Sequence, residues 1–300
     1  MSGNPAVLGV IGGTALFKLP FPVITELDVN TPFGQPSSSI KQVCLASGQR
    51  IYLLNRHGHG HVFSPSSVNY RANIWAMKKL GVTHLLSFSA VGSLQETIVP
   101  GKTIVVPTQL FDDTKGIRQH TFFEGDNDVV AHVSLADPIC PRFASRVSDI
   151  LTKTEWKKLG FSGIQHGGTY VVIEGPTFST RAKSRYYKEI LGADLVGQTA
   201  WPEAPLAREA GLHYAIIAFP ADYDSWRGGC AGVTADEIMT GLAPFSTIPE
   251  LILPRLVQLL DDEDEICQEC QNSLAGFTIH SDMNVLAWEK RKKYVPLLLK

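Results

Sequence analysis

Apolar residues occur along this chain in two alternating patterns. Short apolar runs, such as residues 82–88 and 214–219, have the length and composition of buried strands. Longer stretches, such as residues 66–80, place an apolar residue at every third or fourth position, which is the repeat of an amphipathic helix. Because strands and helices alternate throughout, we predict an α/β fold: a single domain with a mixed, largely parallel central sheet flanked by helices.

The same pattern predicts where other elements lie and how they end. Further strands are predicted at 7–11, 41–46, 51–54, 103–106, 168–174 and 195–197, and further helices at 141–159, 181–191, from about 235, and 248–260. Expected helix caps are Ser66 or Ser67, Ser179 or Thr180, and Thr234. Proline lacks an amide hydrogen, so we expect Pro220 to end its strand and Pro254 to break its helix.

The chain shows no internal repeat, linker or low-complexity segment. We therefore predict that residues 1–300 form one domain, with a C-terminal extension after about residue 260. The polar stretch 112–127 is expected to be a functional or mobile loop, because long loops inside compact domains usually carry function.

Charge and composition narrow the choice of partners. A net charge of −2 over 300 residues is not typical of proteins that bind nucleic acid or anionic membranes. No apolar run approaches the roughly 20 residues of a membrane span, and the first residues lack the features of a secretory signal. The five scattered cysteines are typical of reduced thiols in a cytoplasmic protein.

Cys267 and Cys270 form a C-x-x-C motif that follows an acidic run. A zinc site needs four ligands, and no second ligand pair lies at a suitable spacing in the sequence. We therefore expect solvent-facing helical thiols here and no metal site.

Polar residues that could bind a ligand follow several of the predicted strands. Ligands of α/β sheets bind at the carboxyl ends of the strands, so these residues are expected to converge. They are Gly13 and Thr14, Arg56 and His57 in N-R-H-G-H-G-H, Ser89 and Ala90, residues 177–181 with 198–199, and Asp222 with Asp224.

The chemistry of these residues indicates two kinds of ligand group. Arginine, hydroxyl and backbone N–H groups suit phosphate, although the three histidines of 57–61 leave a metal or an inert polar loop as alternatives. Two carboxylates suit an amine or a protonatable ring nitrogen, although Asp222 and Asp224 also fit a simple turn.

Several stretches together resemble the trimeric purine nucleoside phosphorylase family, and within it the branch that acts on 5′-methylthioadenosine. The resemblance spans roughly residues 7–260. It is carried by G-V-I-G-G-T, T-P-F-G-Q-P-S, N-R-H-G-H-G-H, V-N-Y-R-A-N-I-W-A, S-A-V-G-S-L, I-E-G-P-T-F-S-T-R-A, Q-T-A-W-P-E and A-D-Y-D-S-W.

This resemblance implies phosphate-dependent cleavage of an N-glycosidic bond in purine and methionine salvage. It implies no cofactor, with inorganic phosphate as co-substrate, and a cytoplasmic homotrimer. The implied phosphate site is Gly13, Thr14, Arg56, His57, Ser89, Ala90 and Thr199. The implied nucleoside site is Phe178, Ser179, Gln198, Asp222, Asp224, Ala235, Ile238, Met239, His61 and, from a neighbouring subunit, His132, with Asp222 and Asp224 catalytic.

Two parts of the site distinguish substrates within the family, namely the base-binding residues and the residues at the 5′ end. Members that act on 6-oxopurines carry Glu and Asn where this chain has Ser179 and Asp222, so the resemblance implies an adenine nucleoside. Members that bind a 5′-hydroxyl carry a histidine within the stretch that here reads 233–239, which contains none. The apolar face of Ala235, Ile238 and Met239 suits a methylthio group, although it also fits ordinary core packing.

Three departures from the family pattern are Gln198 in place of Met, Thr177 in place of Arg, and Ala15 in place of Gly. Gln198 in particular leaves a broader adenosine or 6-oxopurine phosphorylase as the main alternative. A non-catalytic nucleoside-binding protein is the alternative from another class.

Overall fold

A computed structural model describes residues 6–13, 19–124, 128–227, 232–260, 267–275, 279, 281–282 and 291–298. Its centre is an 11-stranded sheet in which β2-β3-β4-β1-β5-β10-β9-β7 form a continuous order, while β11 joins β5 to β6 and β6 pairs with β8. The strands are β1 Leu8–Gly12, β2 Val23–Leu27, β3 Ile40–Cys44, β4 Arg50–Asn55, β5 His84–Ser93, β6 Thr103–Val106, β7 Gln109–Asp113, β8 Gly163–His166, β9 Thr169–Ile173, β10 Leu195–Gly197 and β11 His213–Asp222.

Parallel and antiparallel pairings both occur in this sheet. The pairs β1·β4, β1·β5, β5·β11, β9·β10, β6·β8 and β7·β9 are parallel, and β2·β3, β3·β4, β5·β10 and β6·β11 are antiparallel. The helices are α1 Tyr70–Lys79, α2 Pro141–Thr152, α3 Arg181–Arg185, α4 Ala200–Glu209, α5 Ala235–Leu242, α6 Ile248–Leu260, α7 Gln268–Gln271 and α8 Val295–Leu298. The predicted mixed, largely parallel α/β fold is confirmed.

The main hydrophobic core includes the central strands and the helices packed on them, with Ile216, Ala207 and Leu253 all fully buried. None of the helices in the described ranges is long and apolar enough to cross a membrane.

The strand β11 runs further than predicted. It continues through Pro220 to Asp222, with an irregular register beside β5 between those two residues. Pro220 is tolerated because its carbonyl still accepts a hydrogen bond, from Gly101 N at 2.9 Å, while the irregularity removes the need for an amide donor. The extension places the Asp222 carboxylate on the sheet itself rather than on a loop.

Two helix predictions are wrong in detail. The helix α1 starts at Tyr70 and is capped by Asn69, whose side chain accepts from Ala72 N, because Ser66 instead donates to Glu174. The helix α6 is continuous through Pro254. The predicted caps Thr180 and Thr234 are confirmed.

Other boundaries were predicted less well. The segment predicted as one helix over 141–159 is the helix α2 followed by a separate 3₁₀ turn at Trp156–Leu159. Strands β2, β7 and β8 were not predicted, because they are short and β2 is largely exposed. Strand β7 takes up the first residues of the loop expected at 112–127.

The expectation of solvent-facing thiols is wrong. Cys267 and Cys270 are both buried. The short helix α7 packs its backbone beside Gly211, where a side-chain Cβ would lie 3.5 Å from the Cys270 carbonyl oxygen. The segment is covered because it docks on the amino end of β11 rather than extending into solvent.

Candidate active site at the carboxyl ends of the central strands

Arg56 follows β4 and is fixed in a buried ion pair. Its side chain is 2% exposed, and its Nε and Nη2 donate to the two carboxylate oxygens of Glu203, the latter at 3.1 Å. Nη2 also donates to Ser87 Oγ at 2.6 Å and Nη1 to the Phe88 carbonyl at 3.2 Å. Burial opposes the guanidinium charge, but Glu203 outweighs it and raises the pKa of Arg56. The Nε/Nη2 edge of the guanidinium is therefore occupied, and with respect to the described residues one Nη1–H is left for a ligand.

His57 is held neutral next to Arg56. Burial and the nearby Arg56 charge lower its pKa to about 4. Its Nδ1 lies 2.9 Å from the Phe63 carbonyl and so carries the proton. This leaves Nε2 as an acceptor at neutral pH. The ring stacks on His61 with centroids 4.3 Å apart, and a Cβ on Gly13 would lie 3.8 Å from His57 Cδ2.

The three histidines of this loop do not bring three ligand nitrogens together. Among the described residues, the group of three close enough to share a metal ion is Cys140, Cys267 and Cys270. Of the two ligands weighed for the histidine loop, the geometry therefore favours an anion.

Small residues and hydroxyls continue the site along β5. Ser89 Oγ lies 2.9 Å from Tyr170 Oη and 3.5 Å from Thr199 Oγ1. Ala90 is the exposed residue in an otherwise buried strand, so its backbone borders open space. The structure thus brings Ser89, Ala90 and Thr199 together as predicted, and adds Tyr170, which the sequence did not indicate. Thr14 lies outside the described residues.

Asp222 ends β11 and lies 6% exposed beside Gly92 of β5. Its Oδ1 accepts from the backbone N of Asp224 at 2.7 Å. Burial, together with the charges of Asp224 and Glu237, raises its pKa from 3.8 to about 7. Asp222 is therefore substantially protonated at neutral pH and able to donate a proton.

Asp224 faces two buried hydroxyls. Burial raises its pKa, while Ser184 and Ser179 lower it. Yet Asp224 Oδ2, Ser179 Oγ and Ser184 Oγ are each buried without a hydrogen bond of good geometry to the described residues. Buried polar atoms normally have partners, so this group marks a place for polar atoms of a ligand. Ser184 on α3 could not be singled out from the sequence, because only the fold turns it towards Asp224.

Phe178 and Gln198 lie on neighbouring loops. Phe178 is exposed, and Gln198 Nε2 donates to the Thr177 carbonyl at 3.3 Å. Gly175 has a positive φ, and a Cβ there would lie 2.2 Å from Gln198 Oε1, so only glycine allows this approach. The amide therefore has a defined position at the edge of the site.

Arg118 anchors both of these loops from beneath. Its Nε donates to Glu174 at 2.7 Å, and its Nη1 donates to the carbonyls of Gln198 at 2.6 Å and Trp201 at 2.7 Å. The 112–127 stretch thus contributes a buried anchor for the site, which its polar sequence did not reveal.

The helix α5 lies next to the end of β11 without becoming part of the core. Gly241 packs so closely that a Cβ would collide with the Ala221 carbonyl, at 2.0 Å. No residue of this helix is buried, and Met239 is 63% exposed. The apolar face of Ala235, Ile238 and Met239 is therefore not core, which removes the alternative reading of these residues.

The two outer histidines lie at the surface. His61 is exposed, with φ of +58°, and His132 is exposed next to Ala131, which bridges to Ile279. The role assigned to His132 belongs to a neighbouring subunit and stays a prediction.

Comparison with known proteins gives consistent matches. The family model described as the phosphorylase superfamily matches residues 7–241. The chain is 43% identical to S-methyl-5′-thioadenosine phosphorylase of Geobacter sulfurreducens, over 86% of each chain. It is 44% identical to the enzyme of that name from Coprinopsis cinerea, over 87% of this chain and 79% of that one.

Solved structures of methylthioadenosine phosphorylases are similar to this chain over most of its length. A methylthioadenosine phosphorylase from an antarctic soil metagenomic library superposes with a TM-score of 0.86 at 37% identity, covering 99% of this chain and 100% of that one. The Schistosoma mansoni methylthioadenosine phosphorylase in complex with adenine superposes with a TM-score of 0.79 at 34% identity, covering 90% of this chain and 96% of that one.

Proposed function

The chain belongs to the phosphorylase superfamily, and from that membership and its site we infer that it is a 5′-methylthioadenosine phosphorylase. It cleaves the N-glycosidic bond with phosphate and releases adenine and 5-methylthioribose 1-phosphate, so it is a pentosyltransferase. The observation that carries the substrate assignment is the pairing of buried Asp222 with half-buried Asp224, whose buried Oδ2 lies near the Ser179 hydroxyl.

Phosphate binds, in this proposal, between the end of β4 and the end of β5. The free Nη1–H of Arg56 and the hydroxyls of Ser89 and Thr199 donate to its oxygens, with backbone N–H groups near Ala90. Because His57 is neutral with Nδ1 protonated, its Nε2 accepts the P–OH proton of the dianion. Gly13 borders the site beside His57, and the family resemblance assigns Thr14, which lies outside the described residues, to it as well.

The charges of Arg56 and Glu203 allow a phosphate dianion to bind without holding it too tightly to react. Glu203 offsets most of the Arg56 charge, so the guanidinium acts mainly as an oriented donor. The phosphate can then approach C1′ as a nucleophile and stabilise the positive charge that develops on the sugar in the transition state.

Adenine binds on the other side of the sugar. Protonated Asp222 donates to N7 as the glycosidic bond breaks, so adenine leaves as a neutral molecule. Asp224 and Ser179, whose buried oxygens lack good partners among the described residues, hydrogen-bond the remaining polar atoms of the base. As a carboxylate, Asp224 can only accept hydrogen bonds, so it suits the 6-amino group of adenine and not the 6-oxo group of hypoxanthine.

The 5′ end of the nucleoside lies against α5. Ala235, Ile238 and Met239 present apolar surface without a hydrogen-bonding side chain among them. A methylthio group gains about 1–3 kcal/mol here over a hydroxyl. Phe178 packs against base and sugar, Gln198 lies under the sugar, and His61 closes this end with His132 of a neighbouring chain.

Assembly and location follow from the same proposal. We expect a cytoplasmic homotrimer of one-domain chains that needs no cofactor besides phosphate as co-substrate. The exposed apolar side chains of Ile117, Tyr186 and Ile190 are consistent with subunit contacts.

The decisive experiment measures adenine release from 5′-methylthioadenosine with and without phosphate. We expect release only with phosphate, together with a sugar 1-phosphate product. Release without phosphate would indicate a hydrolase, and no release would leave a binding protein. Relative kcat/KM on 5′-methylthioadenosine, adenosine and inosine distinguishes a broader phosphorylase, which Gln198 would permit by hydrogen-bonding a sugar hydroxyl.

A further inference from the structure

Three thiols and an imidazole meet in the core, at the end of β11 opposite to Asp222. One ligand atom each from Cys140, Cys267 and Cys270 can be chosen so that all three lie within 4.8 Å of one another. Cys140 Sγ also lies 3.7 Å from His213 Nδ1. All four residues are buried. The fold therefore gathers, from three distant segments, the ligands that the C-x-x-C motif alone lacked.

The spacing is close to that of a tetrahedral zinc site. With Zn–S bonds of about 2.3 Å and Zn–N bonds of about 2.0 Å, sulfurs lie about 3.8 Å apart and sulfur and nitrogen about 3.5 Å apart. The observed sulfur–nitrogen separation of 3.7 Å is within about 0.2 Å of that value. The sulfurs would move by about 1 Å or less, within reach of χ1 adjustments.

The surrounding backbone is ordered enough to present these ligands. Cys140 is the N-cap residue of α2, and its amide donates to the Tyr214 carbonyl at 2.8 Å, next to His213. The Cys267 carbonyl accepts from Gln271 N at 3.0 Å, which closes the turn that carries both thiols of the motif.

A positive charge lies near the three sulfurs. The Arg208 side chain is buried and interacts electrostatically with Cys270. Three thiolates and Zn²⁺ carry a net charge of −1, which the nearby guanidinium offsets.

We propose that Cys140, His213, Cys267 and Cys270 form a structural Zn²⁺ site of the Cys₃His type. Four protein ligands close the coordination sphere and leave no position for water or substrate. The ion would fasten the segment around α7, which follows α6 in the chain, to the start of β11 and to the start of α2.

The role of the ion is structural because of its distance from the chemistry. His213 and Asp222 are the two ends of β11, so they are about 30 Å apart along an extended strand. Removal of the metal should therefore lower thermal stability without changing kcat at a temperature where the chain remains folded.

Metal content of the full-length protein tests this directly. The protein is expressed in zinc-supplemented medium, purified under reducing conditions without a histidine tag, and analysed by inductively coupled plasma mass spectrometry. We expect about one zinc per chain. The reduced protein stripped with a chelator and titrated with Co²⁺ alone should show the visible d–d bands of tetrahedral thiolate coordination.

Variants test which residues bind the zinc ion. The double variant Cys267→Ser/Cys270→Ser should lose the zinc and lower Tm by roughly 5–10 °C, and His213→Asn should weaken zinc binding. Cys44→Ser is the matched control, since Cys44 is half-buried on β3 and should keep both zinc and Tm.

Two results would overturn the proposal. One is less than about a tenth of a zinc per chain together with no Co²⁺ bands in the wild-type protein, which needs no variant to fold. The other is a disulfide between two of these cysteines in peptide maps of protein kept under reducing conditions. Neither result bears on phosphate-dependent adenine release, so the proposed function is tested separately.

Discussion

Gly92 of β5 lies opposite Asp222 of β11, and a Cβ on Gly92 would lie 2.9 Å from Asp222 Oδ1. The same Cβ would lie 3.1 Å from Asp224 Cβ and 3.2 Å from Val196 Cγ1. The absence of a side chain at Gly92 therefore leaves room for both carboxylates, although Gly92 itself takes no part in the reaction.

Gly92→Ala should displace the Asp222 carboxylate and lower kcat/KM on 5′-methylthioadenosine by about 10- to 100-fold. The reason is that a proton donor moved by a fraction of an ångström no longer meets N7. The control is Gly163→Ala on β8, where a Cβ meets nothing within 4 Å. Equal kinetics in the two variants would contradict the role given to Gly92.

The proton on Asp222 predicts a falling pH profile. With a pKa of about 7, the carboxyl loses its proton as pH rises, so kcat/KM should decline above that value. Asp222→Asn should depress turnover, remove this limb of the profile and relatively favour inosine over 5′-methylthioadenosine. A profile that stays flat from pH 6 to pH 9 for the wild type would exclude Asp222 as the acid.

The same carboxyl should make the protein less stable at high pH. Its pKa is raised from 3.8 to about 7 on folding. Its contribution to the free energy of unfolding is therefore fully present below pH 3.8 and is lost as the pH rises through 7. At pH 8 the free energy of unfolding of Asp222→Asn should therefore exceed that of the wild type by up to about 4 kcal/mol. Its denaturant midpoint should be correspondingly higher. The difference should shrink towards pH 4, and urea titrations at both pH values measure it.

The ion pair of Arg56 and Glu203 predicts a large stability effect. Glu203→Gln leaves the buried guanidinium without a counter-charge and should cost about 3–5 kcal/mol in the free energy of unfolding. The matched control is Glu155→Gln, which breaks the exposed pair with Lys158 and should cost about 0–1 kcal/mol. If the Glu203 variant retains wild-type stability, the pair does not hold Arg56 in place as described.

The exposed face of α5 predicts a change in substrate choice without a change in stability. Met239→Ala should raise KM for 5′-methylthioadenosine by about tenfold and leave that for adenosine nearly unchanged. Its side chain is 63% exposed, so Tm should stay close to that of the wild type. A matched loss on both nucleosides would place Met239 away from the 5′ group.

Local patterns predicted the elements that depend mainly on their own residues. The β3–β4 hairpin, the cap at Thr180 and the strand β6 all follow from runs of apolar residues and from neighbouring turn or capping residues. The prediction failed where a distant partner competed: Ser66 binds Glu174 instead of capping α1, and β7 forms because β9 offers it a neighbour.

For the site, local sequence was informative about which groups are present. The residues at the ends of β4, β5 and β11 were identified because parallel strands deliver their carboxyl ends to one edge of the sheet. The sequence could not reveal that Glu203 occupies the fork of Arg56, that Arg118 supports two loops, or that Ser184 faces Asp224. Arg56 and Glu203 are 147 positions apart in the sequence, Arg118 and Gln198 are 80 apart, and Ser184 and Asp224 are 40 apart.

By itself, the order of residues determined the α/β class, the family and the chemical groups at the strand ends, because these depend on periodicity and on contiguous motifs. Only the tertiary structure decided the protonation of Asp222 and of His57, since a pKa depends on burial and on charges brought in from elsewhere in the chain. It also decided that Cys140 and His213 join Cys267 and Cys270, because folding closes loops between segments that lie far apart in the sequence.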